Sequence, residues 1–213
     1  MKQNILVLLV LSALFSCNPK PQKATLTDNK TASATVIKTD TASLRKLLEK
    51  SQKPGVDIAE ILFNGDTLKI ITGTPDLYYP FGKHSNVTNI KQSIVHSSVK
   101  NIYLINWGNK DSTAITQIST AKSIIKFYKS DETTYQEIVS ANIFDNNFHF
   151  LNNIHIGMSK EELLALLFNK TPSIAVNFIK LISTVDGIQH YYIFKNNKLI
   201  EIKIVTDYTF TGK

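Results

Sequence analysis

Apolar residues fall along this chain in several distinct spacings, and each spacing predicts a different kind of element. Over residues 5–15 (ILVLLVLSALF) they run unbroken for 11 positions behind a short basic start, Met1-Lys2-Gln3-Asn4. Between residues 18 and 42 large apolar side chains almost vanish among Thr, Lys, Ala, Ser and Pro. The alternation of a folded body begins near Ser43. Leu44, Leu47 and Leu48 follow that serine at helical spacing, and Pro54-Gly55 ends the run, which predicts a short helix over 43–50. Ile58–Phe63 and Thr67–Thr72 flank Asn64-Gly65-Asp66, an Asn-Gly hairpin signal. Gly73–Asp76 and Tyr79–Gly82 read as turns, and Val87–Val99 reads as a second helix in spite of its β-branched residues. Lys100–Trp107, Thr113–Ile118, Lys122–Lys129, Tyr135–Phe144 and Phe148–Leu151 are short β-rich runs between polar turns.

The last third carries the sharpest local signals. Ser159 with Glu162 three residues on is a capping box, and Met158 and Leu163 occupy the positions of a hydrophobic staple. Asn169 and Pro172 close that helix. Asp186-Gly187 and Asn196-Asn197 then link three strands, near 174–185, 188–195 and 198–206. If both links are two-residue turns, Tyr191 faces Ile202, Phe194 faces Leu199, Ile182 faces Tyr191 and Ile179 faces Phe194. One face then carries Ile182, Tyr191, Ile193, Ile200, Ile202 and Ile204, the natural seat for the capped helix. The other carries Ile179, Leu181, Tyr192, Phe194, Leu199 and Val205, with His190, Glu201 and Lys203 among them. A solvated face of an antiparallel sheet is polar, so this second face needs a cover: the N-terminal half, a second sheet or a partner.

Ile156-Gly157-Met158-Ser159-Lys160-Glu161-Glu162-Leu163, followed by Tyr192-Ile193-Phe194-Lys195-Asn196-Asn197-Lys198-Leu199, resembles the helix start and meander ending of small outer-membrane-assembly lipoproteins (BamE-like, SmpA/OmlA) and of the β-lactamase-inhibitor-protein fold. The resemblance covers residues 150–207. It implies an α+β body: antiparallel β-meander sheets packed with a few short helices. Such folds include tandem helix-plus-meander units, and here the segments 43–146 and 147–213 can be read as two halves. The proteins it resembles present a β face to another envelope protein.

The N-terminal run is too short to span a bilayer, which takes about 20 apolar residues. With its basic start it fits a secretory signal peptide over residues 1–16. Leu14-Phe15-Ser16-Cys17 resembles the bacterial lipobox, which implies that Cys17 is lipidated and tethers the chain to a membrane through residues 17–42, the body being 43–213. Cys17 is the one cysteine of the sequence, so no disulfide or thiolate metal site is expected. The expected location is the cell envelope, on the outer membrane facing the periplasm.

Composition narrows the partners. The 24 Lys and Arg against 17 Asp and Glu give a formal charge of +7, but the lysines are spread along the chain and not gathered in the dense stripe that nucleic acid requires. The five histidines show no metal-ligand spacing, and no nucleophile elbow or phosphate loop is present. No catalytic residue, metal or cofactor is expected. Tyr78, Tyr79 and Phe81 surround Pro80 in a compact aromatic loop, either plugging the core or meeting a partner. With Ile179, Leu181, Tyr192, Phe194 and Leu199 they form the candidate interaction surface. The leading expectation is a non-enzymatic protein-binding module with an envelope protein as partner. The rival is a small-ligand binder or an enzyme whose site is assembled from distant residues, among which His84, Asp76, Tyr79 and His149 are the candidates.

Overall fold

A computed structural model of the chain describes residues 40–106, 112–129, 135–208 and 210–212. The expected leader, Cys17 and nearly all of 17–42 lie outside these residues. Residues 38–213 form one compact unit. No helix among the described residues is long and apolar enough to cross a membrane.

Among the described residues, three short α-helices form where the sequence carries caps. The first, α1 (Thr41–Lys50), starts two residues earlier than its leucines suggest because the Asp40 carboxylate accepts from the Ala42 amide at 3.2 Å. The second, α2 (Val87–Gln92), is capped by Asn86 and stops after six residues. Its predicted continuation to Val99 fails because Val95 and Val99 favour extended backbone, and the chain enters a strand at Ser98. The third, α3 (Lys160–Leu164), has the expected capping box, with the Ser159 hydroxyl accepting from the Glu162 amide at 3.1 Å and Glu162 returning to the Ser159 amide.

Ten strands among the described residues make one sheet: β1 (Ile58–Asn64), β2 (Thr67–Thr72), β3 (Ser98–Asn106), β4 (Ser112–Ser119), β5 (Ile124–Lys129), β6 (Gln136–Ile143), β7 (Phe178–Ser183), β8 (Gln189–Lys195), β9 (Lys198–Val205) and β10 (Phe210–Gly212). Their order is β1-β2-β7-β8-β9-β6-β5-β4-β3-β10. The C-terminal strands β7–β9 therefore insert between β2 and β6, and both halves of the sequence share a single sheet. Every neighbour is antiparallel except the seam of β2 with β7, which is parallel. A purely antiparallel meander is excluded there, because β7 arrives from a long crossover and not from a hairpin. Residues 148–151 make no strand; Phe148 forms one isolated bridge to Ile94.

Register decides which face is covered. The turn after β7 is longer than two residues, with the Ser183 amide donating to the Ile188 carbonyl at 2.9 Å, so Ile179 faces Tyr192 and Leu181 faces His190. At the far hairpin Asn196 and Asn197 both take positive φ, and Phe194 faces Leu199 as expected. A bulge then shifts β9 by one residue, so Tyr191 faces Lys203 and Tyr192 faces Ile202. A one-residue shift exchanges the faces of a strand. Ile202 and Ile204 thereby join Ile179, Leu181, Tyr192, Phe194 and Leu199. This is the face on which α1, α2, α3 and the aromatic loop all pack, through Leu48, Ile90, Leu163, Leu164 and Leu77. The helices sit on the face opposite to the one that simple hairpin arithmetic assigns.

The other face is left open by the described helices. It also curls. From Val205 at the end of β9 to Phe210 in β10 the chain has five residues, a reach of at most about 18 Å. Across a flat sheet those strands stand five spacings apart, about 24 Å. The β6–β3 end must therefore bend towards β9. The connecting residues cross the open face: the Thr206 hydroxyl donates to the Val139 carbonyl at 2.7 Å, Tyr208 lies 5.7 Å from Tyr128, and its hydroxyl donates to Glu137. Ile115, fully buried and outside the helix-side core cluster, pairs with Ile102 and with Tyr128, the ring that Tyr208 meets. Between β9 and β10 the open face is therefore concave.

Candidate functional site

The candidate interaction residues are mostly core. Tyr78, Phe81, Ile179, Leu181, Tyr192, Phe194 and Leu199 are all buried, so they present no surface to a partner. Their cover is the chain itself: the helices and the 147–158 segment lie over them. Phe81 packs edge-on against Phe150 and Phe127, at 5.3 and 6.1 Å. Tyr79 alone of the eight stays half-exposed.

Polar groups are buried within that core. His190 is 2% exposed, its Nδ1 lies 3.1 Å from the Tyr192 hydroxyl, and its Nε2 has no partner. Burial pulls its pKa down to about 4, so the ring stays neutral. The Tyr78 ring meets the imidazole edge-on at 6.4 Å, and burial raises its hydroxyl pKa. The hydroxyls of Thr72 and Ser183 lean towards it without completing a hydrogen bond. Nothing reaches this cluster from outside, which makes it a structural feature of the core.

Two exposed surfaces among the described residues gather charged and aromatic side chains. On the open face, strand pairing places Leu62, Lys69, Lys180, Tyr191 and Lys203 in one transverse row. Lys69 and Lys180 are direct neighbours, and the Lys180 ammonium sits 4.7 Å above the Tyr191 ring. Like charges in directly paired positions repel, and among the described residues the one ion pair is Arg45–Glu49 on α1, so these lysines have no counter-ion there. Half-buried Phe178, Ile182 and Ile193 border the row.

The second is a cavity of about 530 Å³ at the strand ends. The aromatic loop supplies Tyr79, Lys83 and His84, the start of β6 supplies Tyr135, Glu137 and Ile138, the β7–β8 turn supplies Asp186 and Ile188, and the crossing segment supplies Asp207 and Tyr208. His84 stacks on Tyr135 at 4.2 Å and the Lys83 ammonium lies 5.6 Å above Tyr79. Burial raises the Tyr79 hydroxyl pKa, and the Asp186 carboxylate beside it raises it further. Gly187 is required at the wall: its φ is +59°, and a Cβ there would stand 2.7 Å from the Asp207 carboxylate. Of the four residues named for an assembled pocket, His84 and Tyr79 meet here, while Asp76 and His149 lie elsewhere. No group of three metal-ligating side chains suited to an ion exists among the described residues.

Comparison with known proteins gives no relative to lean on. No family model, curated protein or solved structure matches this chain. The reading of its function rests on its own surfaces. Sequence reasoning named two residues of the cavity, Tyr79 and His84, but not the rest of its walls, and it missed the lysine row, in which the place of Lys203 depends on the bulge in β9. One signal was available, since charged and apolar residues alternate through Lys180, Tyr191 and Lys203.

Proposed function

We propose that this chain is a lipid-anchored envelope protein, non-enzymatic, that binds another protein through the open face of its sheet. The observation that carries the reading is the row Lys69-Lys180-Tyr191-Lys203 across β2, β7, β8 and β9, on a face that no described helix covers and that residues 206–208 cross only over β5 and β6. Two neighbouring lysines that form no ion pair among the described residues, an aromatic ring and a border of half-buried apolar side chains suit a protein with an acidic, partly apolar surface. The anchor is a lipid on Cys17, on the strength of the N-terminal apolar run and the lone cysteine. The capped start of α3 and the β7–β9 meander are consistent with a body of the BamE-like or β-lactamase-inhibitor-protein type.

The test is site-specific photo-crosslinking in the native cells, with the probe at Tyr191 or, as a control, at Lys46 on the helical side. The expected result is one acidic envelope protein captured from position 191 and not from 46, and lost in Lys69→Glu/Lys180→Glu. Equal capture from both positions, or capture of lipid alone, would overturn protein binding by this face. Palmitate labelling that persists in Cys17→Ser would overturn the anchor.

A further inference from the structure

We propose that the cavity between the Tyr79–His84 loop, β6 and the β7–β8 turn binds a small organic cation carrying a primary ammonium or guanidinium group. This goes beyond the open-face reading and does not depend on it. The volume of about 530 Å³ falls within the range of small-molecule pockets, about 300–1,000 Å³. Glu137, Asp186 and Asp207 line it against one ammonium, Lys83, and one imidazole, His84. Of its three tyrosine rings, Tyr135 stacks on His84, Tyr208 lies against Tyr128, and Tyr79 already holds the Lys83 ammonium over its face, so the wall suits a cation.

The hydrogen-bond inventory points the same way. The Tyr208 hydroxyl already donates to Glu137, and the Tyr79 hydroxyl stands protonated beside Asp186. Ionised carboxylates have about four acceptor sites each and no donor, so the walls hold acceptors in excess. The complementary ligand brings donors and positive charge: an ammonium supplies three N–H groups and a guanidinium five. The fold itself places one ammonium, that of Lys83, over a ring of this wall. A carboxylate or phosphate ligand meets three carboxylates, and a neutral sugar gains nothing from the charge.

The chain as a whole carries +7, so loose attraction of cations to its surface is not expected and saturable binding reports a site. The experiment is calorimetric titration of the full chain in detergent with agmatine and spermidine, and with glucose and acetate as controls. Agmatine or spermidine should bind one-to-one with a Kd in the millimolar range or tighter, weakening as salt is raised. Glu137→Gln should reduce affinity about tenfold. Asp207→Asn and Tyr135→Ala alter exposed side chains that leave the core intact, and each should reduce it several-fold, whereas Lys69→Glu on the open face should change nothing. Absence of saturable binding by either cation, affinity unchanged in both Asp207→Asn and Tyr135→Ala, or tighter binding of glucose or acetate would overturn the proposal.

Discussion

Acid should unfold this protein earlier than its carboxylates alone require, because of His190. The ring is sealed in the core with one nitrogen unpartnered, and burial lowers its pKa from 6.5 to about 4. The folded state therefore stays neutral at His190 while the unfolded chain takes up a proton below pH 6.5. Stability is fully present above 6.5 and is lost as pH falls towards 4. The gap between those values, at about 1.36 kcal/mol per pH unit, amounts to about 3 kcal/mol, of which about 2 is gone by pH 5. That is a large part of the 5–15 kcal/mol by which domains are stable.

The assay is urea unfolding between pH 7.5 and 4.5, with the wild type and His190→Phe in parallel. At pH 7 the variant should lie within about 1.5 kcal/mol of the wild type: it removes an orphaned nitrogen and leaves the Tyr192 hydroxyl without its partner. Below pH 6 the two curves should separate, the variant becoming relatively more stable by about 2 kcal/mol at pH 5. The other described histidines are exposed and common to both proteins, so the difference isolates His190. Parallel pH dependences would refute the reasoning.

Removing the α3 cap with Ser159→Ala should lower stability by about 1 kcal/mol in thermal or urea unfolding, with the fold intact. Phe194→Ala, which empties a core position beneath the buried Lys160 ammonium, should cost about 3–5 kcal/mol and leave little folded protein by circular dichroism. Asp145→Ala should lower stability by about 2–3 kcal/mol, because the Thr120 and Ser123 hydroxyls and the Asn147 amide all donate to that carboxylate, at 2.6, 2.9 and 3.0 Å. Lys69→Thr, which relieves the repulsion with Lys180, should raise stability by a few tenths of a kcal/mol at low salt, and the gain should shrink as salt is added.

The sequence was most legible where one residue type answers one local need. Ser159 and Glu162 cap α3, and Asn196-Asn197 closes a tight hairpin through positive φ, because caps and turns are decided by atoms a few residues apart. Most strands of the β3–β6 meander were visible from their β-rich runs for the same reason. The parallel seam of β2 with β7 was not, since it joins Leu68 to Ile179 with no local mark on either. The aromatic loop was found, but its rings point both ways: Tyr78 and Phe81 go to the core and Tyr79 to the cavity. Alternation alone could not assign those directions, as both neighbours are aromatic. Of the cavity only Tyr79 and His84 were named, because its walls come from four separated segments.

The bulge in β9 joins the core to the proposed binding face. Without it, Leu199 would share its face with Glu201, Lys203 and Val205, while Ile200, Ile202 and Ile204 would point the other way. Two charged side chains would then lie under the helices, where unpaired charge is costly by several kcal/mol. The bulge instead leaves Ile200 43% exposed, turns Ile202 and Ile204 into the core, and sends Glu201 and Lys203 to the open side. The same insertion sets Lys203 opposite Tyr191 and so completes the row that begins at Lys69. Core completion and the surface charge pattern are thus one structural event. Selection for a well-packed core requires only that the charges leave it. It does not require that Lys203 arrive opposite Tyr191, one strand beyond Lys180, in the row that the proposed acidic partner would meet.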